Sequence, residues 1–271
     1  MHPAPFILYP WASEPLVHRA RSLEIMARTV AKFTPELVKA MRHHIETQPF
    51  SRLPISKYIP IDLHLKKTEK LQSTRSASIF VPLCNRNGVA SILYTLRSQS
   101  VGTHKGQVSF PGGMNNEGED EATAATRETI EEIGKSVGNI QIIGLGQTVY
   151  SVTGVLVTPV IGFIERDVGD LTHFTPEERE VESIFTRSIA ELVDPINKSY
   201  ETYEREGRKA TMPVYGGDVN GAGFGTKEMA DLIAPDGEIW SVRKERIWGL
   251  TGIVTEASVN MVHSLCSKEE N

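Results

Sequence analysis

The stretch that most constrains this chain is residues 113–135, which holds six Glu and one Asp. On a helix, with about 100° between successive residues, Glu128, Glu131 and Glu132 lie within roughly 100° of one another, and Glu121 falls in the same sector. The opposite side carries small and apolar residues, namely Ala122, Thr126, Thr129, Ile130 and Ile133. Like charges three and four residues apart repel, so this acidic face is unfavourable unless a cation neutralises it. Mg²⁺, a hard cation that prefers oxygen ligands, does so. We therefore predict a helix with one face in a core and the other at a metal site.

The composition fits a soluble globular enzyme or binding domain, since 39% of the 271 residues are hydrophobic and 23% are charged. A net charge of −5 argues against a general nucleic-acid binder. Cys84 and Cys266 are too few for a disulfide framework or a Cys-based zinc site. No apolar run reaches the roughly 18 residues of a membrane span, so we expect no membrane association. A homodimer stays open.

Residues 1–70 are predicted to form an N-terminal extension that is partly helical. Residues 1–33 are basic with a loose helical pattern, which fits a surface segment or a poorly ordered one. The alternative is an organelle transit segment, against which Glu14 and Glu24 weigh. Thr34 and Pro35 predict a helix start that leads to a helix ending near Glu46.

The chain ends also bear on the compartment. No small-residue cleavage site follows an apolar core near the N-terminus, so secretion is not expected. The last residues, 267–271, lack a peroxisomal Ser-Lys-Leu ending. We therefore expect a mitochondrial or cytoplasmic protein.

A strand hairpin and a loop precede the acidic helix. Strands at 76–84 and 89–97 are predicted to flank a turn of the Asn-Gly type. The loop 98–113 is rich in Gly and carries His104 and Lys105. Within it we expect a short strand at 108–110, a tight turn at 111–113, and then a helix from near Asp120 to Gly134.

The second half of the chain alternates predicted strands and helices. Strands are expected at 140–144, 147–152, 155–164, 184–185 and 211–215, and helices at 188–193 and 248–262, the last one amphipathic. The stretch 216–245 is rich in Gly, with only a short helical pattern at 227–233. We interpret this stretch as a surface insertion, with a lid or partner loop as the alternative.

The spacing within the acidic stretch resembles the Nudix box, G-x5-E-x7-R-E-U-x-E-E-x-G-U, where U is a bulky aliphatic residue. Seven positions match in register: Gly113, Glu119, Arg127, Glu128, Glu131, Glu132 and Gly134. Thr129 and Lys135 occupy the two U positions. The Lys135 departure affects packing at the helix end rather than chemistry.

The preceding stretch resembles the motif that comes before the Nudix box in coenzyme A diphosphatases, L-L-T-x-R-[SA]-x3-R-x3-G-x-V-x-F-P-G-G. The matching residues are Thr95, Arg97, Ser98, Gly106, Val108, Phe110, Pro111, Gly112 and Gly113. Tyr94 replaces a Leu, a change we expect to be harmless in a strand. Gly102 stands where the motif has its second Arg, although His104 and Lys105 keep the loop cationic. Residues 246–251 also resemble this subfamily, so the resemblance covers about 75–262.

The resemblance implies an α/β protein with the Nudix fold over residues 71–265, in which a mixed β-sheet lies between helices and a loop-helix-loop forms the metal site. It also implies a diphosphatase, a hydrolase of phosphorus-containing anhydrides. The substrate would be a small molecule, coenzyme A or acyl-coenzyme A. Cleavage with Mg²⁺ or Mn²⁺ would give 3′,5′-ADP and 4′-phosphopantetheine or its acyl derivative.

Roles follow for the matching residues. Glu128 and Glu132, together with the backbone carbonyl of Gly112, are expected to bind the metal. Glu131 is expected to be a third ligand or the base that activates water. Glu180 is a candidate base outside the motif or an extra ligand, because Glu180-Val181 resembles a Glu-Val pair of the subfamily. The substrate phosphates are assigned to Arg97, His104 and Lys105, and a structural role in the motif is assigned to Gly113, Glu119, Arg127 and Gly134.

Two other functions stay open from the sequence. One is a Nudix hydrolase of another nucleoside diphosphate derivative, such as a dinucleotide or a nucleotide sugar, which the missing Arg at Gly102 favours. The other is a non-catalytic Nudix domain used for binding. The intact glutamates argue against the latter.

Overall fold

The computed structural model describes residues 32–55, 75–102, 104–151, 154–205, 208–216, 232–233, 239–240 and 245–266. The candidate transit segment at 1–33, except its last two residues, and most of the stretch 216–245 lie outside the described residues. The helices are α1 (Pro35–Glu46), α2 (Glu121–Ile133), α3 (Ile189–Val193) and α4 (Gly249–Cys266). Short 3-10 turns occur at Pro49–Ser51, Lys135–Val137 and Pro195–Asn197. Among the described helices, none is both long enough and apolar enough to cross a membrane.

Thirteen strands are described: β1 (Arg52–Leu53), β2 (Ser76–Arg86), β3 (Val89–Arg97), β4 (Val108–Ser109), β5 (Gly112–Met114), β6 (Ile140–Gly146), β7 (Val149–Tyr150), β8 (Leu156–Ile164), β9 (Val181–Ser188), β10 (Lys198–Arg205), β11 (Arg208–Tyr215), β12 (Leu232–Ile233) and β13 (Ile239–Trp240). The main sheet has the order β1-β6-β8-β2-β3-β4. Strand β2 pairs parallel with β8 and antiparallel with β3 and β5, and β9 pairs antiparallel with β3. The predicted mixed sheet is therefore confirmed.

Helices cover both faces of the main sheet. Because side chains of a strand alternate between faces, Phe80 of β2 belongs to the core cluster with α2, and its neighbour Val81 belongs to the cluster with α1 and α4. On the α2 side, Ala125 and Ile133 pack against Phe80 and strand β8. The carboxylates of α2 are thus held against the sheet by an apolar face of the same helix.

Part of the predicted N-terminal extension belongs to this core. Helix α1 forms as expected, with Thr34 as N-cap and Pro35 at the first position. Its Val38, Met41 and Ile45 are buried in the α1–α4 cluster, and β1 pairs parallel with β6. The domain boundary at residues 70/71 stays a prediction.

Several sequence-based expectations were wrong in detail. Residues 111–113 do not form a tight turn, because Gly112–Met114 is strand β5, paired with β2. Residues 198–205 are polar and were assigned no strand, yet they form β10 in a separate two-stranded sheet with β11. The strands expected at 184–185 and 147–152 span Val181–Ser188 and Val149–Tyr150.

Burial in two helices and the conformation of one short segment differ from the sequence patterns. Helix α4 was expected to be amphipathic, but all of its residues from Gly252 to Val259 are buried, including Glu256. In α2, Ala122 and Ile130 are only partly buried, whereas Glu132 is buried. Where the short helical pattern at 227–233 enters the described residues, Leu232–Ile233 pairs as a strand with Ile239–Trp240.

Candidate active site

Local capping fixes the ends of helix α2. The Asp120 side chain accepts a hydrogen bond from the Thr123 amide at 2.8 Å, which satisfies one of the free donors of the first turn. At the other end Gly134 has φ +94°, and a Cβ there would collide with the Thr175 hydroxyl. The carboxylates of α2 therefore have a defined position along the helix.

Arg127 links the loop before α2 to the helix. Its Nε and Nη2 donate to the two Glu119 oxygens at 2.9 and 3.0 Å, and Nη2 also donates to the Met114 carbonyl at 3.1 Å. Its Nη1 donates to Glu128 at 2.8 Å and to Glu131 at 3.1 Å. The hydrogen bonds from Arg127 also hold the pKa of Glu119 below its usual range. The pairing of Arg127 with Glu119 was expected from the sequence; the contacts with Glu128 and Glu131 were missed, although their spacing of one and four residues allows them.

Glu132 is the buried carboxylate of the site, with 3% of its surface exposed. Its pKa is raised to about 8, chiefly by burial. Arg97 lowers this pKa, the nearby Glu180 and Glu128 raise it, and the Gly112 backbone lowers it. Its Oε2 has no hydrogen-bond partner among the described residues. A buried carboxylate oxygen in this state is a ready ligand for a cation.

Strand β5 runs directly over these carboxylates, which explains the two consecutive glycines. A Cβ on Gly113 would lie 2.6 Å from Oε1 of Glu128, closer than any ordinary contact. A Cβ on Gly112 would lie 2.6 Å from the Ile79 Cα and would also strike the Ser78 carbonyl. Only a chain without side chains at both positions allows the β5 backbone to meet the carboxylates on one side and β2 on the other.

Arg97 and Glu180 reach the site from strand β3 and the start of β9. The register of this strand pair shifts between Leu96 and Arg97, and the Ser98 amide donates to the Glu180 carbonyl at 2.9 Å. The half-buried Arg97 has an Nε without a hydrogen-bond partner in the described part of the chain. The backbone hydrogen bond of Ser98 joins the end of β3 to the segment that holds Glu180. Arg97 lowers the pKa of Glu132, whereas Glu180 raises it.

Backbone contacts that the sequence analysis did not identify hold Glu180 at the site. The Thr175 amide donates to the Ile133 carbonyl at 3.1 Å, and the Glu177 amide donates to the Glu132 carbonyl at 2.9 Å. The segment before β9 is therefore attached to the last turn of α2. No sequence signal predicts this attachment, because it depends on the tertiary fold.

The loop between β3 and β4 carries the other predicted phosphate ligands. His104 and Lys105 are exposed, and His104 adopts φ +58° with its Nδ1 2.9 Å from the Gln107 side-chain oxygen. The loop closes through a 3.0 Å hydrogen bond from the Gly106 amide to the Arg97 carbonyl. The structure thus places both cations on the loop beside Arg97, and among the described contacts neither one pairs with a carboxylate of α2.

The donor atoms fit a hard divalent cation. The site offers only oxygen ligands, which a hard divalent cation prefers. They are the carboxylates of Glu128 and Glu132, the latter with its unpartnered Oε2, and the backbone carbonyl of Gly112. In the described part of the chain, no three His, Cys, Asp or Glu side chains are already arranged around a cation position. Arg127 explains this, since its Nη1 group draws Glu128 and Glu131 toward itself.

Comparison with known proteins decides the family. The model of the NUDIX domain matches residues 74–205. The chain is 34% identical to the mitochondrial coenzyme A diphosphatase NUDT8 of Mus musculus over 203 residues, 73% of this chain and 83% of that protein. The chain belongs to the Nudix hydrolase family. The predicted Nudix diphosphatase of α/β fold is thereby confirmed, and enzymes of this family generally use divalent metal ions.

Two further proteins similar to this Nudix hydrolase are a curated relative and a solved structure. The Homo sapiens mitochondrial coenzyme A diphosphatase NUDT8 is 33% identical over 192 residues, 69% of each chain. Among solved structures, the Nudix hydrolase RenU of M. Smegmatis is similar at 19% identity and a TM-score of 0.36, over 44% of this chain and 73% of that one. The resemblance to the coenzyme A diphosphatase subfamily, inferred from the two motifs, is confirmed by the two mammalian matches.

Proposed function

We propose that this Nudix enzyme hydrolyses the diphosphate bond of coenzyme A or an acyl-coenzyme A, with Mg²⁺ or Mn²⁺, and releases 3′,5′-ADP and 4′-phosphopantetheine or its acyl derivative. The observation that carries the proposal is the position of strand β5, where Gly113, shared by the coenzyme A-type motif and the Nudix box, lies against the Glu128 carboxylate. Arg97 of the first motif also lowers the pKa of Glu132 of the second. The names of the mouse and human relatives support the same substrate. The convergence of a cationic side chain with buried carboxylates suits an anionic diphosphate.

Glu128, Glu132 and the Gly112 carbonyl are the groups that would hold the metal. When bound, a divalent cation neutralises phosphate charge and lowers the pKa of a water molecule. Glu132 is suited to this role because its buried Oε2 lacks a partner. Arg127 and Glu119 hold the loop and helix in register, while Gly113 and Gly134 allow close approach of the backbone.

The remaining chemistry falls to groups of this chain. A carboxylate takes a proton from the attacking water, whose oxygen bonds to one phosphorus as the bridging P–O bond breaks; the bridging oxygen leaves on the other phosphate. Glu131, with 59% of its side chain exposed, and Glu180 are the two candidates for that base. Arg97, which lowers the pKa of Glu132, is proposed to bind the substrate phosphates together with His104 and Lys105 on the adjoining loop. Positioning and charge stabilisation supply most of the rate acceleration in phosphoryl transfer.

A substrate panel tests the proposal. The purified protein is incubated with coenzyme A, NADH and ADP-ribose, each with Mg²⁺ or Mn²⁺, and products are identified by mass. We expect 3′,5′-ADP from coenzyme A, loss of the product with Glu132→Gln, and full activity in the matched variant Glu117→Gln, which changes an exposed acid of the same stretch. Cleavage of another substrate without any 3′,5′-ADP would refute the proposal.

A second candidate function rests on the loop. A Cβ on Gly102 would meet no atom within 4 Å, so the position of the second motif Arg is open space. The absence of an Arg side chain here favours hydrolysis of a nucleoside diphosphate derivative without a 3′-phosphate, such as a dinucleotide or a nucleotide sugar. Arg97→Ala separates the two candidates: a rise in KM for coenzyme A that exceeds the rise for its 3′-dephospho form supports the first, and equal rises support the second. If the folded protein cleaves nothing with either metal, the non-catalytic binding function replaces both.

We infer a mitochondrial location for this enzyme, which the names of its mammalian relatives support. A fluorescent fusion of the full chain should colocalise with mitochondria, and a fusion lacking residues 1–33 should be cytoplasmic. A mitochondrial signal from the truncated fusion would contradict a transit role for that segment. Light scattering of the purified chain decides whether it forms a homodimer, which the sequence leaves open.

A further inference from the structure

Tyr94 lies in the middle of an aromatic stack behind the site. It is fully buried in strand β3. Its ring stacks on Phe110 at a centroid distance of 5.1 Å and on Phe185 at 5.5 Å. Stacked rings at these distances attract one another beyond the effect of burial alone. Tyr94 therefore has two aromatic partners, Phe185 in strand β9 and Phe110 between strands β4 and β5. It is not equivalent to the Leu of the motif that this stretch resembles.

The hydroxyl of Tyr94 connects the stack to the C-terminal helix α4. It lies 3.1 Å from the Thr255 hydroxyl, and both residues are buried. One helical turn earlier, the Thr251 hydroxyl donates to the Val108 carbonyl at 3.3 Å. Residues four apart lie on the same face of a helix, so one face of α4 holds β3 and β4 at the same time.

The stack leads directly to the backbone of the site. Phe110 is followed by Pro111, whose carbonyl accepts a hydrogen bond from the Phe80 amide at 2.8 Å. The next two residues are Gly112 and Gly113, whose backbone lies against Ser78, Ile79 and the Glu128 carboxylate. Movement of Phe110 would thus be transmitted over two residues to the metal-binding groups.

We propose that Tyr94 and Thr255 are a positioning pair through which helix α4 holds strand β5 over the carboxylates of α2. This inference rests on the proposed function only for the reaction that the pair supports. It gives a role in the site to α4, which lies outside the segment matched by the NUDIX domain model. Neither residue touches substrate or metal, so both act through Phe110 and the β5 backbone.

The variants remove the connection one atom group at a time. Tyr94→Phe and Thr255→Val each delete one hydroxyl partner, and Thr255→Ser restores it. Tyr94→Leu also removes the ring between Phe110 and Phe185. The matched control is Ser258→Ala, which deletes another buried hydroxyl of α4, one that donates to the Val254 carbonyl of the same helix at 2.9 Å.

Three readouts follow each variant: hydrogen exchange of the β5 amides, the dissociation constant for Mn²⁺ by electron paramagnetic resonance, and kcat and KM for coenzyme A. Loss of one buried hydrogen bond typically changes an equilibrium constant by about fivefold. We expect Tyr94→Phe and Thr255→Val to speed hydrogen exchange of the β5 amides and to weaken Mn²⁺ binding by about that factor. Both should lower kcat more than they raise KM. The double variant should show no further loss of Mn²⁺ affinity or activity. Thr255→Ser should behave as the unaltered protein, and Tyr94→Leu should be worse than Tyr94→Phe.

The control and the three readouts separate the outcomes. If Tyr94→Phe and Thr255→Val lower thermal stability as Ser258→Ala does but leave β5 exchange and Mn²⁺ binding unchanged, Tyr94 is an ordinary core residue and the inference is overturned. Additive effects of the two substitutions overturn it as well. If exchange and Mn²⁺ binding respond as expected while coenzyme A is not cleaved, the positioning pair stands and the proposed substrate falls.

Discussion

Replacing Gly113 by Ala adds one methyl group at the point where strand β5 crosses the Glu128 carboxylate. The new Cβ would lie 2.6 Å from Oε1 of Glu128, whereas ordinary contacts begin at 3.4 Å. The carboxylate must therefore move by about 1 Å, and it can do so because it is the end of a flexible side chain. Gly113 does not have a positive φ, so the backbone itself accepts Ala.

The expected loss is in function rather than in stability. A displacement of about 1 Å in a catalytic group lowers activity by about 100-fold, and we expect a similar loss of Mn²⁺ affinity. The displaced carboxylate also gives up its 2.8 Å ion pair with Arg127. Both side chains are partly exposed, so that pair contributes no more than about 1 kcal/mol, which lowers Tm by only about 2–4 °C.

Gly112→Ala is the matched control, one residue away. Its Cβ would strike backbone atoms, the Ser78 carbonyl and the Ile79 Cα, and Gly112 has φ +151°. Backbone cannot give way as a side chain does, so we expect a loss of about 2–4 kcal/mol in the free energy of unfolding. The two substitutions should thus have different effects: Gly113→Ala should lower metal affinity and activity, whereas Gly112→Ala should lower the free energy of unfolding.

The assay combines Mn²⁺ titration followed by electron paramagnetic resonance with thermal unfolding of each variant without metal. The reasoning is refuted if folded Gly113→Ala binds Mn²⁺ as tightly as the unaltered protein. That result would mean that Glu128 is not a metal ligand. Equal losses of Tm in both variants would refute the assignment of the Gly113 clash to a movable side chain.

Three further predictions concern other residues. The pKa of Glu132 is raised, chiefly by burial, from 4.5 to about 8, so between these values the folded state keeps a proton that the unfolded state has lost. The free energy of unfolding of the metal-free protein should therefore fall from pH 5 to pH 8. Glu132→Gln should flatten this pH dependence in urea unfolding, and an unchanged pH dependence would contradict the burial effect. Gly102→Arg fills open space, so it should leave Tm unchanged and lower KM for coenzyme A relative to its 3′-dephospho form; equal KM changes would remove this position from substrate recognition. Gly134→Ala forces a Cβ against the Thr175 hydroxyl at φ +94°, so it should lower the free energy of unfolding by more than about 1 kcal/mol, and an unchanged chemical denaturation midpoint would contradict the tight contact.

Local features of the site could be predicted from the sequence. Helix α2 begins after Asp120, whose side chain caps the first turn, and ends before Gly134, which adopts a positive φ. The pairing of Arg127 with Glu119 spans eight residues and follows from the spacing of the motif. Such short-range signals are reliable because the groups lie within one helix and the loop directly before it.

Long-range features could not be predicted. The contact of Tyr94 with Thr255 joins residues 161 positions apart, and the sequence gives no sign of it. For the same reason a Tyr in place of Leu looked harmless in a strand. The approach of Glu180 to Glu132 likewise depends on backbone hydrogen bonds from Thr175 and Glu177, which any residue types could make.

Burial patterns explain the remaining errors. Strand β10 was missed because its residues are polar, and among the described strands it pairs with β11 alone, outside the main sheet. Its sequence, KSYETYER, shows no alternation between apolar and polar residues, and its Tyr200 is 53% exposed. Helix α4 was expected to expose one face, but the sheet, α1 and the β10–β11 hairpin cover it on several sides. Glu256 is consequently buried and paired with Lys198 at 3.2 Å.

Product analysis after incubation with coenzyme A tests the central claim most directly. The account predicts that 3′,5′-ADP and 4′-phosphopantetheine appear together, only when Mg²⁺ or Mn²⁺ is present, and that folded Glu132→Gln yields neither. Formation of 3′,5′-ADP by Glu132→Gln at the unaltered rate, or in the presence of excess chelator, would contradict it. Equally, folded protein that leaves coenzyme A intact with both metals while cleaving another diphosphate would show that the site acts on a different substrate.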